Sequence, residues 1–277
     1  MRGTKIKLLP VIALLSGLVA PLSLHAQSPS PFDGCNVVAL PPQNPTVEAR
    51  LVELINAHRA SLRLPPLKRT SLLDDTARYH AYDMIEDGYF NTVTVDTLEM
   101  GGGMIRVAVI CSSLERVNKY YKGGSAIGTS LIARDTASPE EVLNQWLAVP
   151  ENRRVLENAN AREIGVGYAE GNSPILAQFV RFWVVDVGSR RNVSPLVINR
   201  EQAQTDNPEV ELYIYGRWAQ VRLRNDEGEW SAWQPFKNTL RWQINATPGT
   251  RQVCAELRRG SRRETTCDTI EFVGNPG

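Results

Sequence analysis

Apolar positions recur at helical spacing in three places along the chain. Val47, Leu51, Leu54, Ile55 and His58 form the first stripe and predict a helix opening near Pro45. Leu73, Ala77, His80, Ala81 and Met84 form the second, on a helix starting at Ser71. Val142, Leu143, Trp146 and Leu147 form the third. Its start has a clear signature: Ser138 is a good N-cap, Pro139 suits the first helical position, and Glu141 stands where a capping box needs its carboxylate. After a loop, Ile164, Val166 and Tyr168 alternate with glycine and alanine, which predicts a buried strand packed on the third helix. A further strand is expected over residues 175–188, with Phe179, Phe182 and Trp183 in the core. The pattern is least informative over residues 93–137, where Glu115 to Tyr121 reads as a short helix. Gly101-Gly102-Gly103 is no phosphate loop, because neither a lysine nor a helix start follows it.

From about Ser194 the pattern changes to short β-branched or alternating runs, separated by turn signals such as Asn225-Asp226-Glu227-Gly228 and Pro248-Gly249. A polar connector at 189–193 precedes this region, and residues 194–277 read as a small all-β sandwich. The expected class is therefore α+β, with helices and strands first and strands alone afterwards.

Composition adds compartment and charge. Hydrophobic residues make up 42% of the chain and charged residues 22%, enough to build cores. A formal net charge of +1 argues against a general nucleic-acid or anionic-membrane role. Arg258, Arg259, Arg262 and Arg263 read as a solvated hairpin turn. Residues 1–26 have the basic start, apolar middle and small-residue end of a secretory signal, and 27–35 an extended lead-in. No second apolar stretch is long enough to cross a bilayer. Four cysteines allow three pairings; keeping each pair within one domain gives Cys35–Cys111 and Cys254–Cys267. Disulfides fit an oxidising, extracellular or cell-surface location.

Trp146, Pro150, Arg153 and the run Arg162-Glu163-Ile164-Gly165-Val166-Gly167 carry a resemblance. So do LVELINAHRASLRLPPL, with Asn56 and Arg59, and ARYHAYDMIEDGYF, with His80. Together they resemble the bacterial branch of the CAP superfamily, which includes cysteine-rich secretory proteins and plant pathogenesis-related proteins. The resemblance implies an α-β-α sandwich over residues 36–188. The second region resembles an immunoglobulin- or fibronectin-like repeat of bacterial secreted proteins, through Val221 to Asp226, the run Trp230 to Phe236, Trp242 and Asp268-Thr269-Ile270. That likeness speaks to fold and hardly to function.

The CAP resemblance implies a cleft in which two histidines and acidic partners can bind zinc. This chain departs from that set. Thr92 and Asn152 stand in the places of the two histidines, and the best match to the glutamate signature puts Thr129 in its place and Ser130 beside it. None of these is a good zinc ligand or a general acid or base near neutrality. Glu140, Glu141 and Glu163 remain nearby in sequence, but glutamates alone favour harder ions. The expectation is a degenerate site with no metal and no cofactor, in a secreted, non-enzymatic protein that binds an apolar, lipid- or sterol-like molecule or an extracellular partner protein. Two alternatives stand beside it. One is a peptidase-like hydrolase with a relocated site using His80 or His58, although no Gly-x-Ser-x-Gly occurs. The other is an adhesin that binds cell-wall polysaccharide through Trp230 and its neighbours.

Overall fold

The computed structural model describes residues 32–100, 104–136 and 138–274. The secretory-type stretch, the lead-in up to residue 31 and Gly101-Gly102-Gly103 lie outside these. The described residues belong to one compact unit.

The first half contains α1 (Pro45–Ser61), β1 (Lys68–Arg69), α2 (Ser71–Glu86), β2 (Thr94–Met100), β3 (Met104–Cys111), α3 (Ser113–Tyr120), β4 (Ser125–Ala126), β5 (Leu131–Arg134), α4 (Pro139–Ala148), α5 (Pro150–Leu156), β6 (Glu163–Ser173) and β7 (Gln178–Ser189). The central sheet runs β1-β6-β7, with β4 and β5 both paired to β7. Only the β1–β6 pairing in it is parallel.

Alternation along β6 and β7 sends side chains to two helical layers. Ile164, Val166, Trp183 and Val185 pack with Leu51 and Ile55 of α1 and Val142 and Trp146 of α4. On the other side, Phe182 and Val184 pack with Ala77, Ala81 and Met84 of α2. Glycine is needed on this second face. A Cβ on Gly165 would lie 2.0 Å from the Leu73 backbone, and one on Gly167 would lie 2.3 Å from that of Ala77. The Ile-Gly-Val-Gly spacing thus records a helix laid directly on a strand. The result is the expected α-β-α layering.

Four local expectations change. Ser138 caps α4 through the Glu141 N–H, and α4 is followed by a second helix, α5, where a loop was expected. The reciprocal capping box belongs to Ser112 and Glu115 at the start of α3. Phe179 is 50% exposed, with the Arg181 guanidinium over its ring, so it is not core. Residues 94–100 and 104–111 pair as antiparallel strands. Their β-branched residues were visible, but the Gly-rich centre obscured the pairing.

The second half holds β8 (Leu196–Ile198), a 3-10 turn (Asn199–Glu201), β9 (Gln204–Thr205), β10 (Glu209–Ile214), β11 (Gln220–Asn225), β12 (Gln234–Pro235), β13 (Thr239–Gln243), β14 (Gly249–Arg259) and β15 (Arg262–Phe272). Sheets β13-β10-β8 and β12-β11-β14-β15-β9 enclose one core of Leu196, Val210, Leu212, Val221, Leu223, Val253, Leu257 and Phe272. The four arginines flank the β14–β15 turn, where Gly260 has φ +60°. Disulfides join Cys35 to Cys111 and Cys254 to Cys267.

The two halves share buried polar contacts. The Tyr215 hydroxyl donates to the Pro66 carbonyl at 2.8 Å. The Lys68 ammonium, on the central sheet, lies 2.9 Å from Glu201 and also pairs with Asp268 on β15. Burial raises Glu201 to about 8, helped by the neighbouring Asp268 charge.

Candidate functional site

Of the positions expected to form the degenerate site, Thr92 and Ser130, the neighbour of Thr129, meet one buried cation. Arg116 projects from α3, and its guanidinium is fully buried. It donates to the Thr92 carbonyl at 3.3 Å, the Thr94 hydroxyl at 2.9 Å and the Ser130 hydroxyl at 2.9 Å. Ser130 donates in turn to Asp186 at 2.5 Å, and Thr76 of α2 donates to the other Asp186 oxygen at 2.7 Å. The network therefore ties α2, α3, β2, β7 and the bend before β5 together.

Asp186 is a charged residue inside the apolar run Phe182 to Val187, and Arg116 sits on the buried side of a short polar helix. Sequence reasoning missed both. The signal was an ionisable residue interrupting an apolar stretch, which calls for a buried partner.

Each expected site residue has a definite place. Thr92 is half-buried and joins the network through its backbone. Thr129 is exposed on the bend before β5, while Ser130, its neighbour, is buried and engaged. Asn152 is half-buried on α5. Glu140 pairs with Arg50 at the surface at 2.9 Å. Glu163 is buried against Arg190 and the Tyr121 hydroxyl.

His80 is 0% exposed. Its Nε2–H donates to the Asn91 carbonyl at 2.8 Å, and Nδ1 lies 3.4 Å from the Tyr89 hydroxyl, which donates its proton to Asp83. Burial, reinforced by the Arg116 charge, pushes the imidazole well below its ordinary value, so it stays neutral. The ring serves to hold the turn after α2. His58 is on another part of the surface of α1, 2.9 Å from Glu157. The nearby Ser61 hydroxyl donates to the His58 backbone carbonyl rather than to its ring.

Trp230 and Trp233, offered above as a sugar platform, are covered by cations. Arg222 lies over both rings at 5.1 and 4.8 Å, Arg224 lies over Trp230 at 4.9 Å, and Arg258 lies over Trp233 at 4.1 Å. Trp218 and Trp242 donate their indole N–H groups to Ser194 and Asn225.

An open concavity lies elsewhere. A cleft of about 1150 Å³ lies between the edge of the central sheet and the β-rich half. Arg162, Arg191, Asn158, Asn160, Tyr213 and Tyr215 line it. The Arg162 guanidinium stacks over the Tyr215 ring at 5.6 Å.

Residues 52–187 match the profile of the cysteine-rich secretory protein family, CAP. The chain carries a CAP domain. An uncharacterized protein of Bacillus subtilis is 26% identical to this chain over 156 residues, 56% of this chain and 55% of that protein. The chain thus spans about half the length of that relative. An outer surface protein from Borrelia burgdorferi is 18% identical, with a TM-score of 0.41, over 56% of this chain and 100% of that one. An extracellular SCP-domain protein from Bacillus anthracis is 17% identical, with a TM-score of 0.40, over 55% of this chain and 45% of that one. The two disulfides of this CAP-domain chain fit a secreted protein. No helix among the described residues is long and apolar enough to cross a membrane.

Proposed function

We propose that this is a secreted, non-enzymatic interaction protein, with a CAP domain whose metal-binding and acid-base positions have been converted to structure. The observation that carries this reading is Arg116, buried against the Thr92 carbonyl and the Ser130 hydroxyl. A fixed positive charge there opposes a divalent cation, and guanidinium does not exchange protons near neutrality. His80 offers no replacement, being neutral, enclosed and hydrogen-bonded to a carbonyl. The immunoglobulin-like reading of residues 194–277 belongs to the same proposal, supported by two sheets around one core.

The cleft beside Arg162 and Tyr213 favours a polar extracellular partner over a lipidic one. Its amides, guanidinium groups and phenols offer hydrogen bonds and stacking, whereas an apolar ligand needs a largely apolar wall. Binding of acidic peptides or polysaccharides, followed by fluorescence anisotropy, tests this. We expect salt-sensitive binding that weakens by about tenfold in an Arg162→Ala, Arg191→Ala double variant, as loss of two charged contacts implies. Retention of a fatty acid or sterol, with no effect of the double variant, would contradict it.

A further inference from the structure

Most of the buried carboxylates in this fold have a cationic partner. Glu48 and Asp74 pair with Arg69 and Arg78, Glu163 with Arg190, and Asp268 with Lys68. Asp186 is held by two hydroxyls. A trio near the end of α2 breaks this rule. Asp83, Asp87 and Asp96 each bring a carboxylate oxygen within 4.8 Å of the others. Among the described residues, no arginine or lysine forms an ion pair with any of them.

Asp83 is 0% exposed, and its Oδ1 has no hydrogen-bond partner. Its other oxygen accepts from the Tyr89 hydroxyl. The nearby His80 Nδ1 is 3.6 Å away, beyond hydrogen-bonding distance. Arg116 acts on Asp83 only through its field, since its hydrogen bonds go to Thr92, Thr94 and Ser130. A buried carboxyl oxygen with no partner, beside two further carboxyl groups, ionises only at a cost unless a cation binds there.

The other two members are aimed by backbone groups. The Gly34 N–H donates to both Asp96 oxygens at 3.0 and 3.1 Å, and the Thr97 N–H donates to Asp87 Oδ1 at 2.6 Å. Asp33 adds a further negative charge that acts on Asp87 and Asp96. Gly34 precedes Cys35, whose disulfide to Cys111 holds this segment against the β2–β3 hairpin. Three segments distant in sequence therefore converge on one anionic pocket: the lead-in, the end of α2 and the start of the hairpin.

We propose that Asp83, Asp87 and Asp96 form a binding site for a hard divalent cation, with calcium as the preferred ion. The donors are all oxygens and include no imidazole or thiolate, a set that selects calcium or magnesium over zinc. Their irregular placement, two at the end of α2 and one on β2, suits the flexible coordination of calcium better than the strict octahedron of magnesium. This site is separate from the positions at Thr92, Thr129 and Asn152. Its role is structural: it neutralises the trio and fastens the lead-in and the hairpin to α2.

The test is isothermal titration of the full, disulfide-bonded chain with calcium chloride in chelator-treated buffer, with magnesium chloride in parallel. We expect one calcium per chain, with a dissociation constant on the order of 10⁻⁴ to 10⁻³ M, as for extracellular modules, and weaker magnesium binding. Asp87→Asn and Asp96→Asn are the primary variants, because both positions are partly exposed and can be checked for folding by circular dichroism. Each should weaken binding at least about tenfold, since each removes one charged ligand. Asp83→Asn should abolish binding. Absence of calcium binding up to about 10 mM overturns the proposal, given the weakest affinities such sites show. So does calcium binding that both Asp87→Asn and Asp96→Asn leave unchanged.

Discussion

At the scale of single residues, this CAP domain is defined by buried ionisable groups and what they face. Arg116 and His80 lie a few ångströms from the same turn but have different tasks. The guanidinium satisfies carbonyl and hydroxyl oxygens from several elements, and the imidazole, kept neutral by burial, donates to one carbonyl. Asp83 gives this arrangement a measurable pH signature. In the folded chain, burial holds its proton up to about 8. The unfolded carboxyl releases it at about 4. The folded state therefore binds more protons across that window, so the contribution of Asp83 to stability is complete below about 4 and fades as pH rises toward about 8. Asp83→Asn keeps the shape and cannot ionise. With chelator present, its melting temperature relative to the parent chain should rise between about pH 5 and pH 8. Identical pH profiles for the two proteins would contradict this account of Asp83.

At the scale of elements, the strongest constraint is the contact of α2 with β6. Gly165 and Gly167 let the helix backbone rest on the strand, and Ile164 and Val166 fill the opposite layer. Gly165→Ala places a methyl group 2.0 Å from the Leu73 carbonyl carbon, which no rotamer change can relieve. It should cost about 3 kcal/mol or more, the upper end for forced overpacking, measured by urea unfolding. A loss of less than about 1 kcal/mol would mean that α2 can shift freely.

The helices were legible in the sequence because their stripes, caps and prolines agree, and Ile-Gly-Val-Gly announced the strand beneath them. The β2–β3 hairpin was not, because its pairing spans a glycine run that carries no side-chain periodicity. Thr92 and Asn152 could be picked out as departures from the family pattern. Arg116 and the aspartate trio could not, because burial and convergence of distant segments are properties of the fold. The exposed Phe179 shows the same limit: its place in an aromatic-rich strand suggested core, but it lies near the strand end, where solvent and Arg181 take one face.

At the scale of the molecule, the two halves share buried polar groups, which makes the described unit mechanically continuous. Lys68 is central to this, being the cation for Glu201 and Asp268 together. Lys68→Ala would leave Asp268 buried beside Glu201 without its cation. It should cost about 3 to 5 kcal/mol, as breaking a buried ion pair does. It should also split the thermal transition seen by calorimetry, as the β-rich half melts separately from the CAP domain. A single transition with an unchanged midpoint would mean that the halves are coupled by other contacts. The cleft lined by Arg162, Tyr213 and Tyr215 lies along this same boundary, so a partner bound there would sense both halves.

The central claim is that the family's metal-binding positions have become structural, and native mass spectrometry of the intact protein with and without added zinc tests it most directly. The account predicts that no zinc adduct depends on these positions: the mass stays at that of the metal-free chain, or any adduct disappears with Asp87→Asn. A stoichiometric zinc adduct that survives Asp87→Asn and is lost with Asn152→Ala or His80→Ala would contradict it and restore the hydrolase reading.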